Sequence, residues 1–117
     1  MTPATLLALV AAHFDLTVAQ LRSRNRTRVV AYARQAAAWV LRIAFPVLSL
    51  QDVGALLGGR DHTTIIFACQ QVELRMAADP DLAAVLLALV ALGGERQRET
   101  RPGDDRRFWG VTIARTA

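Results

Sequence analysis

Apolar residues recur at spacings of three and four through roughly the first ninety positions, with no run of strict alternation, so the pattern predicts helices and no strands. Leu6, Leu7, Leu9, Val10 and Phe14 define a first helix that Thr2 caps and Pro3 starts. Thr17 caps a short second helix, Val18 to Arg22. The segment Ser23-Arg24-Asn25-Arg26-Thr27 holds no apolar residue and reads as a basic loop leading into a long third helix, roughly Arg28 to Phe45. Pro46 stops that helix. Ser49 opens a fourth helix with Asp52 at the capping-box spacing, and Leu50, Val53, Leu56 and Leu57 form its stripe. Gly58 ends it. The fifth helix, about His62 to Ala78, is predicted to bury Ile66, Cys69, Val72 and Met76 and to stop ahead of Pro80. A sixth begins at Asp79 or Asp81 and runs to about Leu92, where Gly93-Gly94 is expected to break it. The fold class is therefore all-α: a small domain of about six helices over residues 1–92, with a partly irregular tail over 93–117.

Composition adds limits to that picture. A chain of 117 residues, 53% hydrophobic, has material for one compact domain. All 14 of its cations are Arg, and the net charge is +4. Arg22, Arg24, Arg26, Arg28, Arg34 and Arg42 fall in one acid-free stretch, so the positive field is concentrated there and favours an anionic partner. Cys69 is the only cysteine, which excludes a disulfide framework and a Cys-rich metal site and suits a reducing cytoplasm. Met1-Thr2-Pro3 has no basic n-region, and the apolar stretch Leu82 to Leu92 is too short to span a bilayer. His62 and Cys69 share a helical face but lie two turns apart, roughly 10 Å, too far to hold one metal ion. No cluster of nucleophile and base stands out, so neither an enzyme, nor a cofactor, nor a metal is expected. His13 reads as a surface or boundary residue and Trp39 as core.

The chemistry gathers in Gly58-Gly59-Arg60-Asp61-His62-Thr63-Thr64. Two glycines allow the positive φ of a tight turn, and Asp61 can cap a helix whose first turn holds His62, Thr63 and Thr64. In a helix-turn-helix the first residues of the second helix reach base edges in the major groove, and these side chains offer hydroxyl, methyl, carboxylate and imidazole groups to read them. By residue type alone, a capped helix start with a polar first turn describes the run equally well. The lengths of the fourth and fifth helices and their tight connection favour the helix-turn-helix.

In that context the stretch from about Leu6 to Leu89 resembles the C-terminal DNA-binding domain of the bacterial replication initiator DnaA family, which binds short duplex sites called DnaA boxes. The resemblance rests on the seven-residue run, the basic loop Ser23 to Arg28 followed by Arg34-Gln35, the opening Ser49-Leu50-Gln51-Asp52-Val53-Gly54, and their order and spacing. It implies that Asp61, His62 and Thr63 touch bases in the major groove, with Thr64 beside them, and that Arg26 enters the adjacent minor groove. Arg is drawn into narrow A·T-rich minor grooves on physical grounds as well. Arg34, Gln35, Arg42, Leu50, Gln51 and Arg60 match positions facing the phosphate backbone, and Arg24 and Arg28 join that set, with register as the expected role.

The chain also departs from the family. Tyr32-Ala33 stand where Arg-Pro is common, and Gln70-Gln71 where basic residues are usual, so fewer phosphate contacts are expected. One extra residue separates Arg42 from Ser49. Gln51 replaces a common Pro, freeing an N–H that could donate to a phosphate. There is no Gly-x-x-x-x-Gly-Lys-Ser/Thr loop and no Lys to make one, so ATP hydrolysis is not expected of these residues. The expectation is a stand-alone reader of box-like sites, cytoplasmic and at the nucleoid, that binds double-stranded DNA in control of replication initiation or transcription. A fragment of a longer chain is the other possibility. Glu95 to Arg107 is almost wholly polar, and Phe108 to Ile113 turns apolar again. With the sixth helix, this tail could dock to replication proteins or a second copy; an adaptor using that surface is the alternative function.

Overall fold

A computed structural model describes residues 1–100, with side chains through residue 93; the tail from 101 onward lies outside the described residues. Six helices follow in order: α1 (Pro3–His13), α2 (Val18–Arg22), α3 (Arg28–Ala44), α4 (Leu50–Leu56), α5 (His62–Ala78) and α6 (Pro80–Thr100). No strand occurs among the described residues. The predicted caps are in place. Thr2 accepts from the Thr5 N–H at 3.1 Å, and Ser49 and Asp52 exchange both bonds of a capping box. Thr17 and Gln20 form a second capping box on α2. At the other end of α1, Asp15 takes a left-handed φ of 63°, and the Asp15 and Leu16 N–H groups return to the Ala12 and Ala11 carbonyls.

α3 runs through the middle and touches all five other helices. Its alanines let them approach closely: Ala33, Ala36, Ala37, Ala38 and Ala44 are buried alongside Val30, Trp39, Val40 and Leu41. Trp39 is fully buried, as its apolar neighbours predict, and its indole N–H donates to Glu73 on α5 at 3.3 Å. His13 is exposed, as expected.

Two expectations need correction. On α5 the buried positions are Ile65, Ala68, Cys69 and Val72, whereas Ile66 is 40% exposed and Met76 only partly buried. The inward stripe follows the i, i+3, i+4, i+7 rule from Ile65, and two adjacent isoleucines gave the sequence no means of choosing between faces. On α6 the helix does not stop at Gly93-Gly94 but continues to Thr100. Gly93 is buried against Leu6 of α1 and Ala44 of α3, so its missing side chain serves close helix packing. α6 itself lies on α1, α3 and α5, with Leu86 fully buried. None of the helices is long and apolar enough to cross a membrane among the described residues.

Candidate nucleic-acid interface

The connection between α4 and α5 is built on three glycines used in two ways. Gly58 and Gly59 turn the chain with φ of 91° and 87°. Gly54, one turn back on α4, receives that turn: its carbonyl accepts from the Gly59 and Arg60 N–H groups at 2.9 and 3.0 Å. A Cβ built on Gly54 would sit 1.9 Å from the Arg60 carbonyl oxygen, so only glycine fits beneath the crossing. Gly58 in turn lies against the Arg22 carbonyl, with the same exclusion at 2.2 Å.

This turn delivers Asp61 as the N-cap of α5. Its Oδ1 accepts from the Thr64 N–H at 2.8 Å. That bond, with help from the Thr64 hydroxyl, holds the Asp61 carboxyl below the usual carboxylate range. Asp61, His62, Thr63 and Thr64 are all exposed, so the first turn of α5 presents four polar side chains to solvent. Beside Thr64, a shallow groove of about 120 Å³ runs between α5 and α3, with Arg34, Gln35, Arg60 and Phe67 among its lining.

The basic loop is the neighbouring element. Its backbone is stiffened by its own side chains: Ser23 Oγ donates to the Gln20 carbonyl at 2.7 Å, and the Thr27 N–H donates to Asn25 Oδ1 at 2.8 Å. Arg24, Arg26 and Arg28 project from it, exposed, and none of their guanidinium groups donates a hydrogen bond among the described residues.

Three other arginines near the loop direct their guanidinium groups to main-chain carbonyls. Arg34 Nε donates to the Leu21 carbonyl at 2.8 Å, and its Nη2 donates to the Ser23 and Asn25 carbonyls at 3.0 and 2.9 Å. Arg60 Nη2 donates to the same Ser23 carbonyl at 2.6 Å, and its Nη1 donates to the Leu57 carbonyl. Arg22 Nη1 donates to the Leu56 carbonyl at 2.8 Å. Apart from the Asn25 carbonyl, which lies in the loop, these acceptors are the end carbonyls of α2 and α4, which have no partner within their own helices. Burial, and then the charge of Arg60, lowers the Arg34 pKa; burial, and then Arg24, lowers that of Arg60. Both guanidinium groups remain charged, since their ordinary value lies far above neutrality.

The residues named from sequence thus fall into two layers. Arg24, Arg26, Arg28, Gln51 and Asp61 to Thr64 are exposed; Arg34, Gln35, Arg42, Leu50 and Arg60 are half-buried. Gln35 accepts from Arg75, whose guanidinium also lies over the Tyr32 ring at 4.1 Å from its centre. Arg42 donates to the Leu48 carbonyl at 3.3 Å. Arg22 was not singled out by sequence reasoning, and no local signal could have done so, because its acceptor lies 34 residues away. Among the described residues no group of three or more His, Cys, Asp or Glu side chains could hold a metal ion. The Cys69 thiol is buried, which pushes its pKa up to about 12 and leaves it neutral.

Comparison with known proteins bears on this arrangement directly. Residues 3–72 match the family described as bacterial dnaA protein helix-turn-helix. Among relatives, the chromosomal replication initiator protein DnaA of Chloroflexus aggregans is 40% identical over 84 residues, covering 72% of this chain and 17% of the relative. Its counterparts from Symbiobacterium thermophilum and Treponema pallidum are 38% identical over 91 residues and 36% over 86, covering 78% and 74% of this chain. In the first two relatives the match spans 17% and 20% of their length, so this chain corresponds to about a fifth of them. The turn on Gly58-Gly59, the capped start of α5 and the basic loop all lie inside the matched region, and the chain belongs to the bacterial DnaA helix-turn-helix family.

Proposed function

We propose that this domain binds double-stranded DNA sequence-specifically, at sites resembling DnaA boxes, and serves the control of replication initiation or transcription. His62, Thr63 and the free face of Asp61 read base edges in the major groove, with Thr64 beside them at bases or phosphate. Arg26 enters the adjacent minor groove, where an A·T-rich step offers the most negative potential. Arg24, Arg28 and Gln51 meet phosphates and set register. Arg34, Gln35, Arg42, Leu50 and Arg60 belong to the layer beneath.

The observation that carries this reading is the direct linkage of two exposed polar elements. The Ser23 carbonyl, at the start of the loop bearing Arg26, accepts from Arg60 of the turn leading into Asp61, so both elements are presented together. A titration of box-bearing and scrambled duplexes across salt concentrations tests it. The box is expected to bind at least tenfold more tightly, with affinity for both falling as salt rises because phosphate contacts release counterions. Equal, weak binding of the two duplexes would remove direct readout and leave the adaptor role through α6 and the tail.

A further inference from the structure

We propose that Arg34 and Arg60 are positioning residues that lock the minor-groove loop to the helix-turn-helix turn, fixing the offset between Arg26 and the first turn of α5. The inference rests on the DNA-binding reading and adds a division of labour within it. The resemblance alone would give Arg34 a phosphate to hold.

The geometry gives it other work. A guanidinium has five N–H donors in a planar fork. Arg34 directs its Nε and Nη2 to three carbonyls, those of Leu21, Ser23 and Asn25, that bracket the entry of the loop. Arg60 reaches the same Ser23 carbonyl from 37 residues along the chain and joins it to the Leu57 carbonyl at the end of α4. One carbonyl oxygen therefore receives two guanidinium groups, one from α3 and one from the turn. Arg26 follows three residues after that oxygen, and Asp61 follows directly after Arg60. Bringing two cations together at one acceptor opposes itself electrostatically, so the arrangement holds only while the carbonyls answer both. Such a convergence suits a joint, since it holds only when loop and turn are in register. A reader that must engage two grooves at once gains from having their spacing set before it binds.

The lock makes different demands from a phosphate contact. A Lys at position 34 keeps the charge but offers one point donor in place of the fork, so it would hold a phosphate and fail to bracket three carbonyls. The test measures DNA affinity and its salt dependence for the full chain and for Arg34→Lys, Arg34→Gln, Arg26→Ala and the double variant Arg26→Ala with Arg34→Gln. The duplexes carry A·T or G·C at the step facing Arg26. Arg34→Lys and Arg34→Gln are both expected to lose roughly tenfold of the A·T preference, about one mismatch's worth, with the salt slope unchanged. In the Arg26→Ala background, Arg34→Gln is expected to cause no further loss of that preference.

Amide exchange supplies a readout free of DNA. The Thr27 N–H, bonded to Asn25 in the loop, is expected to lose protection in both Arg34 variants while amides of α5 keep theirs. If Arg34→Gln fails to fold, Arg60→Lys enters the same measurements with the same expected losses. Full discrimination in Arg34→Lys, together with a salt slope reduced by about one contact in Arg34→Gln, would overturn the lock and restore a phosphate role. Additive losses from Arg26 and Arg34 would overturn it too. If the unaltered chain shows no preference between box and scrambled duplex, the DNA-reading proposal fails first and takes this one with it; unchanged Thr27 protection refutes the lock alone.

Discussion

Arg24, Arg26 and Arg28 project into solvent, while Arg22, Arg34 and Arg60, close by in space, aim their donors at main-chain carbonyls. The two sets share a residue type and, Arg60 apart, an acid-free stretch of sequence. What separates them is the location of unanswered carbonyls. Helices of five and seven residues are too short to stand alone, and their last carbonyls require donors from elsewhere. An arginine within reach of such an end is drawn into structure; one on the outer side of the loop keeps its charge for a partner. A basic patch is therefore not a uniform surface, and net charge alone overstates how much of it can meet an anionic partner.

The comparison can be broken most severely beneath the turn. Gly54→Ala forces a Cβ against the Arg60 carbonyl and is expected to lower stability by about 3 kcal/mol in urea unfolding, as overpacking against rigid backbone does. A change under 1 kcal/mol would show that the turn is free to move. Next in size are the exposed residues proposed to read bases. His62→Ala or Thr63→Ala should weaken binding to the preferred duplex by on the order of 1 to 3 kcal/mol and relax specificity, with the melting temperature unmoved. Arg60→Ala should reverse that pattern in unfolding experiments, losing about 1 kcal/mol of stability as the Leu57 and Ser23 carbonyls lose a charged donor that water partly screens. Arg28→Ala should leave stability within about 0.5 kcal/mol and lower the salt slope of binding by about 0.9.

The smallest effect concerns acid. Asp61 has a depressed pKa in the folded chain because the Thr64 N–H and hydroxyl favour its charged form. Its contribution to stability is present above the ordinary Asp value near 3.9 and is lost as pH falls from there through the lower folded value. Asn at position 61 can still cap the helix but cannot titrate. Asp61→Asn should therefore flatten the acid limb of the stability curve below about pH 4 while preserving neutral stability; an unchanged acid limb would mean the cap bond is not formed in solution.

Much of this was legible in the sequence where the signal is local. Thr2, Thr17, Ser49 and Asp61 each sit within three residues of the N–H they cap, so helix starts could be read directly. The exposed first turn of α5 could be placed for the same reason, since it follows the cap at Asp61. Tertiary choices were harder. Ile65 and Ile66 offered α5 two faces, and packing against α3 chose the first. Gly93 looked like a helix breaker, yet close contact with Leu6 makes it part of a helix interior. The structural roles of Arg22, Arg34 and Arg60 were invisible because their acceptors, Leu57 apart, lie 9 to 37 residues away and are backbone atoms, which no residue pattern marks.

The central claim is that two exposed elements, held together by an inner layer of arginines, read one DNA site through two grooves. Selection of bound duplexes from a random pool tests it most directly, performed with the unaltered chain, Thr63→Ala and Arg26→Ala. The account predicts a two-part motif, with a set of specified base pairs flanked by an A·T-rich step, in which Thr63→Ala relaxes the first part and Arg26→Ala only the second. A pool that shows no enriched motif, or two variants that relax the same positions, would contradict it.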